Sequence, residues 1–191
     1  MSHNVIPRAR ELVSHRVNGL NESLRVIVLD APGSGGACHD YVILVPVDPH
    51  DDMCYQHNGP PEATEHYRIC VRPSGPGEIA GVDLYLQTSS TVAYLQTFDT
   101  IDCGNEVKNT EYFNYTRIRF QNGPIKEQGV NGLSQEALLA VLIDRMEGFQ
   151  AGQYKCHDNQ LALDHLQYTR LVLHKRTMDR TARNVEGTRA Q

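Results

Sequence analysis

The C-terminal third of the chain carries the pattern that most constrains its fold. Ser134 stands before "QEALLAVLIDRMEGF", where Leu138, Leu139, Leu142, Met146 and Phe149 recur at helical spacing, and Ser is a preferred helix N-cap. Gly148 and Gly152 bracket the end of that helix. The short connection "QAGQYKC" then leads into a second helical run from about Asp158 to Arg183. Two helices joined so closely must fold back as an αα-hairpin.

On the second helix Asn159, Ala162, Leu166, Thr169, Leu173, Arg176, Arg180 and Arg183 follow at steps of three or four and share one face. The middle of this stripe is apolar and should pack on the first helix or on another copy of the chain. Its arginine end has two readings. Cations complement a helix C-terminus and can pair with Asp179, Glu186 or a partner's carboxylates. Guanidinium groups held near an interface can instead grip a pyrophosphate, and Arg176 and Arg180 lie one turn apart for that purpose. Phe149 and Asn159 flank the connection; together they offer an aromatic plate and an amide for a nucleobase, although a Phe at a helix end also serves as core.

Upstream the pattern changes to short β-branched runs. "LRVIVLD" and "YVILVPV" read as two neighbouring strands joined by the glycine-rich "APGSGGACH", while "YRICVRP", "VDLYLQT" and "TVAYLQTF" read as further strands. "YTRIRF" alternates as a strand, and "QNGPIKE" turns sharply after it. The expected fold class is α+β: a polar leader over residues 1–23 with a weak helical pattern at "RARELVSH", an antiparallel β-core over 24–133 containing an inserted β segment at 48–114, and the helical hairpin over 134–191.

Composition narrows the function. A formal charge of −5 over 191 residues lacks the basic surface that grips a nucleic-acid polymer, though a small anion needs only a local cluster. The five cysteines are odd in number and form no C-x-x-C pair, which argues against a disulfide framework or zinc ribbon. The N-terminus shows no apolar h-region and no stretch is long enough to span a bilayer, so a cytoplasmic, reducing setting is expected. Cys38-His39 and Cys156-His157 fit no common zinc spacing, and neither metal nor cofactor is expected. The loop residues Gly35, Gly36, Ala37, Cys38 and His39 could hold an anion on backbone amides, but the segment leads into a strand and equally suits a tight turn. No nucleophile, base and orienter set stands out, while "DPHDD" leaves a hydrolytic site open.

The residues "FQNGPIKEQGVNG", "GFQ" and "RTMDRTARNVEGT", in that order, together with "VLDAPGSGGACHDYVI", resemble the first family of phage Thoeris anti-defence proteins. The hairpin is similar to one in a phage anti-CBASS cyclic-nucleotide sponge. The resemblance covers about half the chain and implies a non-enzymatic protein that sequesters glycocyclic ADP-ribose, the signal made by Thoeris TIR-domain proteins. It implies a homo-oligomer with a dimer as its unit and a hexamer as its assembly, and in some members a second site for cyclic trinucleotides. Carried over by motif, the ligand-binding residues would be Phe149, Asn159, Arg176 and Arg180, with the arginines supplied across a dimer. A cyclic-nucleotide hydrolase and an oligomeric structural protein are the alternatives.

Overall fold

The computed structural model describes residues 6–17, 21–46, 64–70, 81–87, 92–99 and 107–188, which fall into two compact units, Met1–Ile118 and Arg119–Gln191. The "DPHDD" stretch, Cys54 and Cys103 lie outside the described residues, and Cys38 and Cys156 are free thiols.

The first unit is a closed barrel of β1 (Ile6–Leu12), β2 (Arg25–Val28), β3 (Asp40–Pro46), β4 (Thr64–Cys70), β5 (Gly81–Gln87), β6 (Val92–Asp99) and β7 (Val107–Arg119). Around the barrel the order is β1, β2, β3, β7, β6, β5, β4. β1 and β2, β2 and β3, β4 and β5, β5 and β6, and β6 and β7 pair antiparallel, whereas β4 meets β1 in parallel. The antiparallel β-core expected from the sequence is therefore present, and the C-terminal helices complete the α+β class.

Alternation builds the core. Ile27 and Leu29, Val42 and Leu44, Val82, Leu84 and Leu86, and Ala93 and Leu95 all lie in one buried cluster with Ala9, Tyr67 and Phe113. Side chains two residues apart share a strand face, so these runs fill the barrel interior. Leu84 stands opposite Leu95 on β6 and Tyr67 on β4, and each fully buried Leu contributes about 1.5–3 kcal/mol.

Two expectations need correction in this unit. The leader is not a weak helix: residues 6–12 form β1, which pairs with both β2 and β4, and Ala9 sits in the core. Helical spacing in so short a polar stretch is weak information, and the backbone partners available on two sides outweigh it. The short strand expected at "YTRIRF" is the end of the 13-residue β7, whose earlier half pairs with β6. Residues 48–114 thus supply β4, β5, β6 and the start of β7 to the same barrel.

A polar network ties strands far apart in sequence. Arg117 on β7 grips Asp40 on β3 through two bonds, Nε to Oδ1 at 2.9 Å and Nη2 to Oδ2 at 2.6 Å. Its Nη1 donates to Glu65 Oε2 at 2.7 Å and its Nη2 to the Tyr67 hydroxyl at 3.1 Å, while that hydroxyl donates to Glu65. Burial, then the bond to Glu65, pushes the Tyr67 phenol above its ordinary 10.0, against the opposing pull of Arg117. Because the folded value is raised, this contribution is complete below the unfolded value and is lost as pH climbs past it. The melting temperature of the wild type should fall more steeply from about pH 9 to about pH 11 than that of Tyr67→Phe, which should already be about 1 kcal/mol less stable at the lower pH. Parallel profiles in thermal unfolding would rule out this role for Tyr67.

The second unit contains a loop with the short helix α1 (Ile125–Gln128), then α2 (Gln135–Ala151) and α3 (His157–Ala182). Ser134 caps α2 as expected, its hydroxyl accepting from the Ala137 amide at 3.2 Å. Cys156 caps α3, its sulfur accepting from the Asn159 amide at 3.4 Å. The loop before α2 is closed by the Phe120–Leu133 bridge, and its two amide side chains interlock: Gln121 Oε1 accepts from the Asn131 amide, and Asn131 Oδ1 from the Asn122 amide. Both "QNG" and "VNG" of the sequence signature are spent on this closure.

Candidate ligand site on the helical hairpin

The turn between α2 and α3 is held by side chains. Gln150 Nε2 donates to Gln160 Oε1 at 2.9 Å across the turn, and Gln150 Oε1 accepts from the Cys156 amide at 3.0 Å. Asn159 Nδ2 donates to the Tyr154 carbonyl at 3.0 Å. Phe149 meets the Tyr154 ring edge-on, with centroids 6.2 Å apart, and the Arg145 guanidinium lies 4.9 Å from the Phe149 centroid. Phe149 and Asn159 are both half-buried. The turn thus brings an aromatic ring, a cation over it and an amide to one end of the hairpin, a combination that can stack a flat base and hydrogen-bond its edge. Arg145 and Tyr154 escaped the sequence reading. Arg145 stands one helical turn before Phe149, a spacing that could have flagged it.

The arginines lie at the other end of α3 and behave differently from one another. Arg176 is exposed, and among the described residues it has no hydrogen bond or ion pair. Arg180 is half-buried. Its Nε donates to Glu186 Oε2 at 2.9 Å, and its Nη2 donates to the carbonyls of Val185 at 3.0 Å and Thr188 at 2.9 Å. Asp179, the other candidate partner, pairs with Lys175. Arg183 closes the helix: its backbone amide and its Nε both donate to the Asp179 carbonyl, at 3.3 and 3.2 Å. For Arg183, complementing the helix end is the whole observed role.

The expected stripe needs adjustment. Asn159, Leu166, Leu173 and Arg180 are partly covered, but Ala162, Thr169, Arg176 and Arg183 are exposed, and the buried residue of α3 is Leu163, as Ile143 is of α2. The face turned toward α2 therefore runs slightly to one side of the predicted line. A second apolar stripe faces outward, with Leu161, Tyr168, Leu171, Val172 and Met178 on α3 and Val141 and Leu142 on α2 all exposed, Met178 by 70%. Single exposed apolar residues are ordinary, but on α3 Leu161, Tyr168 and Val172 recur at helical spacing on one face, as an interaction surface would.

At 1.5 Å of rise per residue, the stretch of α3 from Asn159 to Arg176 measures about 25 Å. Within one chain the four residues expected from the sequence therefore fall into two separate pairs, Phe149 with Asn159 and Arg176 with Arg180.

The glycine-rich loop is built as a turn. Asp30 pins its far end, accepting from the amides of His39 at 2.8 Å and Asp40 at 3.1 Å, while the Gly33 and Gly36 amides donate to the carbonyls of Ala37 and Gly33. Gly35 and Gly36 take φ of 76° and 79°, where glycine is favoured, and sit exposed at the tip with Ala37. His39 is buried; its Nδ1 lies 3.7 Å from Asp30 and has no hydrogen-bond partner among the described residues. The Tyr41 hydroxyl donates to the Cys38 carbonyl at 3.2 Å, and burial raises its phenol, with Cys38 and Asp30 adding to the rise. Among the described residues no cluster of His, Cys, Asp and Glu could hold a metal, and no helix is long and apolar enough to cross a membrane.

Residues 114–177, the end of β7 through most of α3, match the Acb2/Tad1 hairpin domain. The hairpin is therefore similar to the Acb2/Tad1 hairpin domain over about a third of the chain. A protein named Thoeris anti-defense 1, from Bacillus phage SBSphiJ7, is 41% identical over 71 residues, a stretch that makes up 37% of this chain and 50% of that relative. The chain thus spans about half the length of the curated relative it matches. The matched span includes Phe149, Asn159 and Arg176, whereas Arg180 and Glu186 follow it.

Proposed function

We propose that this chain counters Thoeris defence in the infected cell by holding the signal nucleotide, glycocyclic ADP-ribose, intact in a site shared by two antiparallel hairpins. What supports the reading is the separation of the expected residues: Asn159, beside the turn that also holds Phe149, and Arg176 lie about 25 Å apart along α3, too far for one cyclised ADP-ribose to reach both. A second copy running the other way would bring its Arg176 and Arg180 to the first copy's Phe149 and Asn159. The outward apolar stripe on α3 supplies a surface for that association.

In the shared site Phe149 would stack on adenine, with Arg145 behind the ring. Asn159 would read a base or ribose edge, and Arg176 and Arg180 would clamp the pyrophosphate. Competing with a receptor for a signal calls for nanomolar affinity, roughly −12 kcal/mol, which a closed site between two chains can reach by excluding water. Sequestration needs no bond to break. The loop at residues 31–39 is given no ligand in this reading, because four of its amides or flanking amides already donate within the chain.

The test is recovery. Excess glycocyclic ADP-ribose is incubated with the protein, free ligand is removed, and the complex is heated. Intact nucleotide should return in a fixed ratio to protein, with native mass spectrometry giving an even number of chains. Complete conversion of the nucleotide would establish a hydrolase, and an even oligomer that retains none would leave a structural role.

A further inference from the structure

The contacts of Arg180 bear on how such a site would be tuned. After Ala182 the chain forms a strap over residues 183–188. The helix ends in a Schellman arrangement, in which the Val185 amide donates to the Arg180 carbonyl at 3.0 Å and the Asn184 amide to Thr181 at 2.9 Å, with Asn184 at φ 57°. The Thr188 amide and hydroxyl both donate to the Val185 carbonyl, and the Lys126 amide donates to the Gly187 carbonyl. Gly187, at φ 72°, lies against the Lys126 side chain, where a Cβ would come within 3.2 Å of it. None of these bonds involves the Glu186 side chain, so the strap keeps its shape without that carboxylate.

Glu186 is nevertheless turned onto Arg180. The guanidinium offers one edge, Nε with Nη2, to two acceptors side by side, and this is the edge that a phosphate takes bidentately. Glu186 occupies the Nε corner and two strap carbonyls occupy Nη2. A carboxylate is the chain's own stand-in for a phosphate: planar, anionic and acceptor-only. We propose that Glu186 is an affinity-setting residue, an internal competitor that a pyrophosphate-bearing ligand must displace from Arg180. This rests on the reading of the hairpin as a nucleotide site. Arg176, which has no such partner among the described residues, would make first contact, and Arg180 would engage only when Glu186 lets go. The pair is partly open to water, with 25% of the Arg180 side chain and 40% of the Glu186 side chain exposed, so the competition is moderate in strength.

Calorimetry on the full-length protein with two probes, glycocyclic ADP-ribose and inorganic pyrophosphate, tests this. Glu186→Gln keeps an acceptor for Arg180 Nε and removes the charge. It should bind both probes about three- to fivefold more tightly, the factor an ion pair of this exposure can withhold. Glu111→Gln, the same loss of charge on the barrel, should leave both affinities unchanged. Equal or weaker binding by Glu186→Gln, or an equal gain in Glu111→Gln, overturns the proposal. Should the wild type bind neither probe, the nucleotide reading itself fails. The competitor role would then survive only if Glu186→Gln acquires measurable pyrophosphate binding, and would fall if it does not.

Discussion

Replacing Gly132 by alanine should cost the hairpin unit about 3 kcal/mol, the upper end of what overpacking does, and lower its melting temperature by roughly 10 °C or more. A Cβ at Gly132 would lie 2.4 Å from both the carbonyl carbon and the oxygen of Phe120, and 2.7 Å from the Gln121 nitrogen. All three are backbone atoms at the point where the loop closes. There the Leu133 amide donates to the Arg119 carbonyl and the Gln121 amide to the Leu133 carbonyl, each at 2.8 Å. No side chain can rotate away, so relief means opening the closure and breaking the Gln121 and Asn131 hydrogen bonds beside it. Gly148→Ala is the matched control: it lies inside α2 with nothing within 4 Å of an added Cβ, and should stabilise by about 0.5–1 kcal/mol through helix propensity. Circular-dichroism melts of the two variants should move in opposite directions. A Gly132→Ala melt within about 3 °C of the wild type would show that the closure yields cheaply.

Arg176→Ala should weaken capture of glycocyclic ADP-ribose by about 30- to 100-fold, the loss expected when a charge-assisted phosphate contact disappears. Its melting temperature should stay close to that of the wild type, because Arg176 is exposed and holds nothing else among the described residues. Arg180→Ala should differ in kind. It removes the contact with Glu186 and the two bonds to strap carbonyls, so both binding and the order of residues 183–188 should suffer, the latter visible as faster amide exchange at Thr188 and Lys126. Unchanged affinity in Arg176→Ala would remove the arginine pair from the site. A monomeric or unfolded Arg176→Ala protein would assign it to assembly instead.

The contrast between these two arginines shows where sequence reading stops. Their spacing put both on one helix face beside a candidate pyrophosphate, and Glu186 could be named as a partner. Which arginine it takes depends on how the chain turns after Ala182, and that turn is set by an Asn in the left-handed region and by a bond from Lys126 to Gly187, residues far apart in the sequence. Arg145 and Tyr154 illustrate a milder case. Both are near Phe149 in sequence, but only the folded turn makes one a lid on the ring and the other its edge contact.

The helical hairpin is determined by the sequence itself, because every device that builds it is local: the Ser134 cap, apolar residues at steps of three and four, and a connection too short to do anything but reverse. Most strands of the barrel were also readable, since β2 to β6 are short β-branched or alternating runs, whereas β1 and the first half of β7 were not. Their arrangement was decided only by tertiary structure. That the polar N-terminal segment would be a strand closing the barrel against β4, or that Arg117 would gather Asp40, Glu65 and Tyr67, depends on backbone edges and charges brought together from distant parts of the chain. A strand's pattern records which face is buried; it does not record which strand lies beside it.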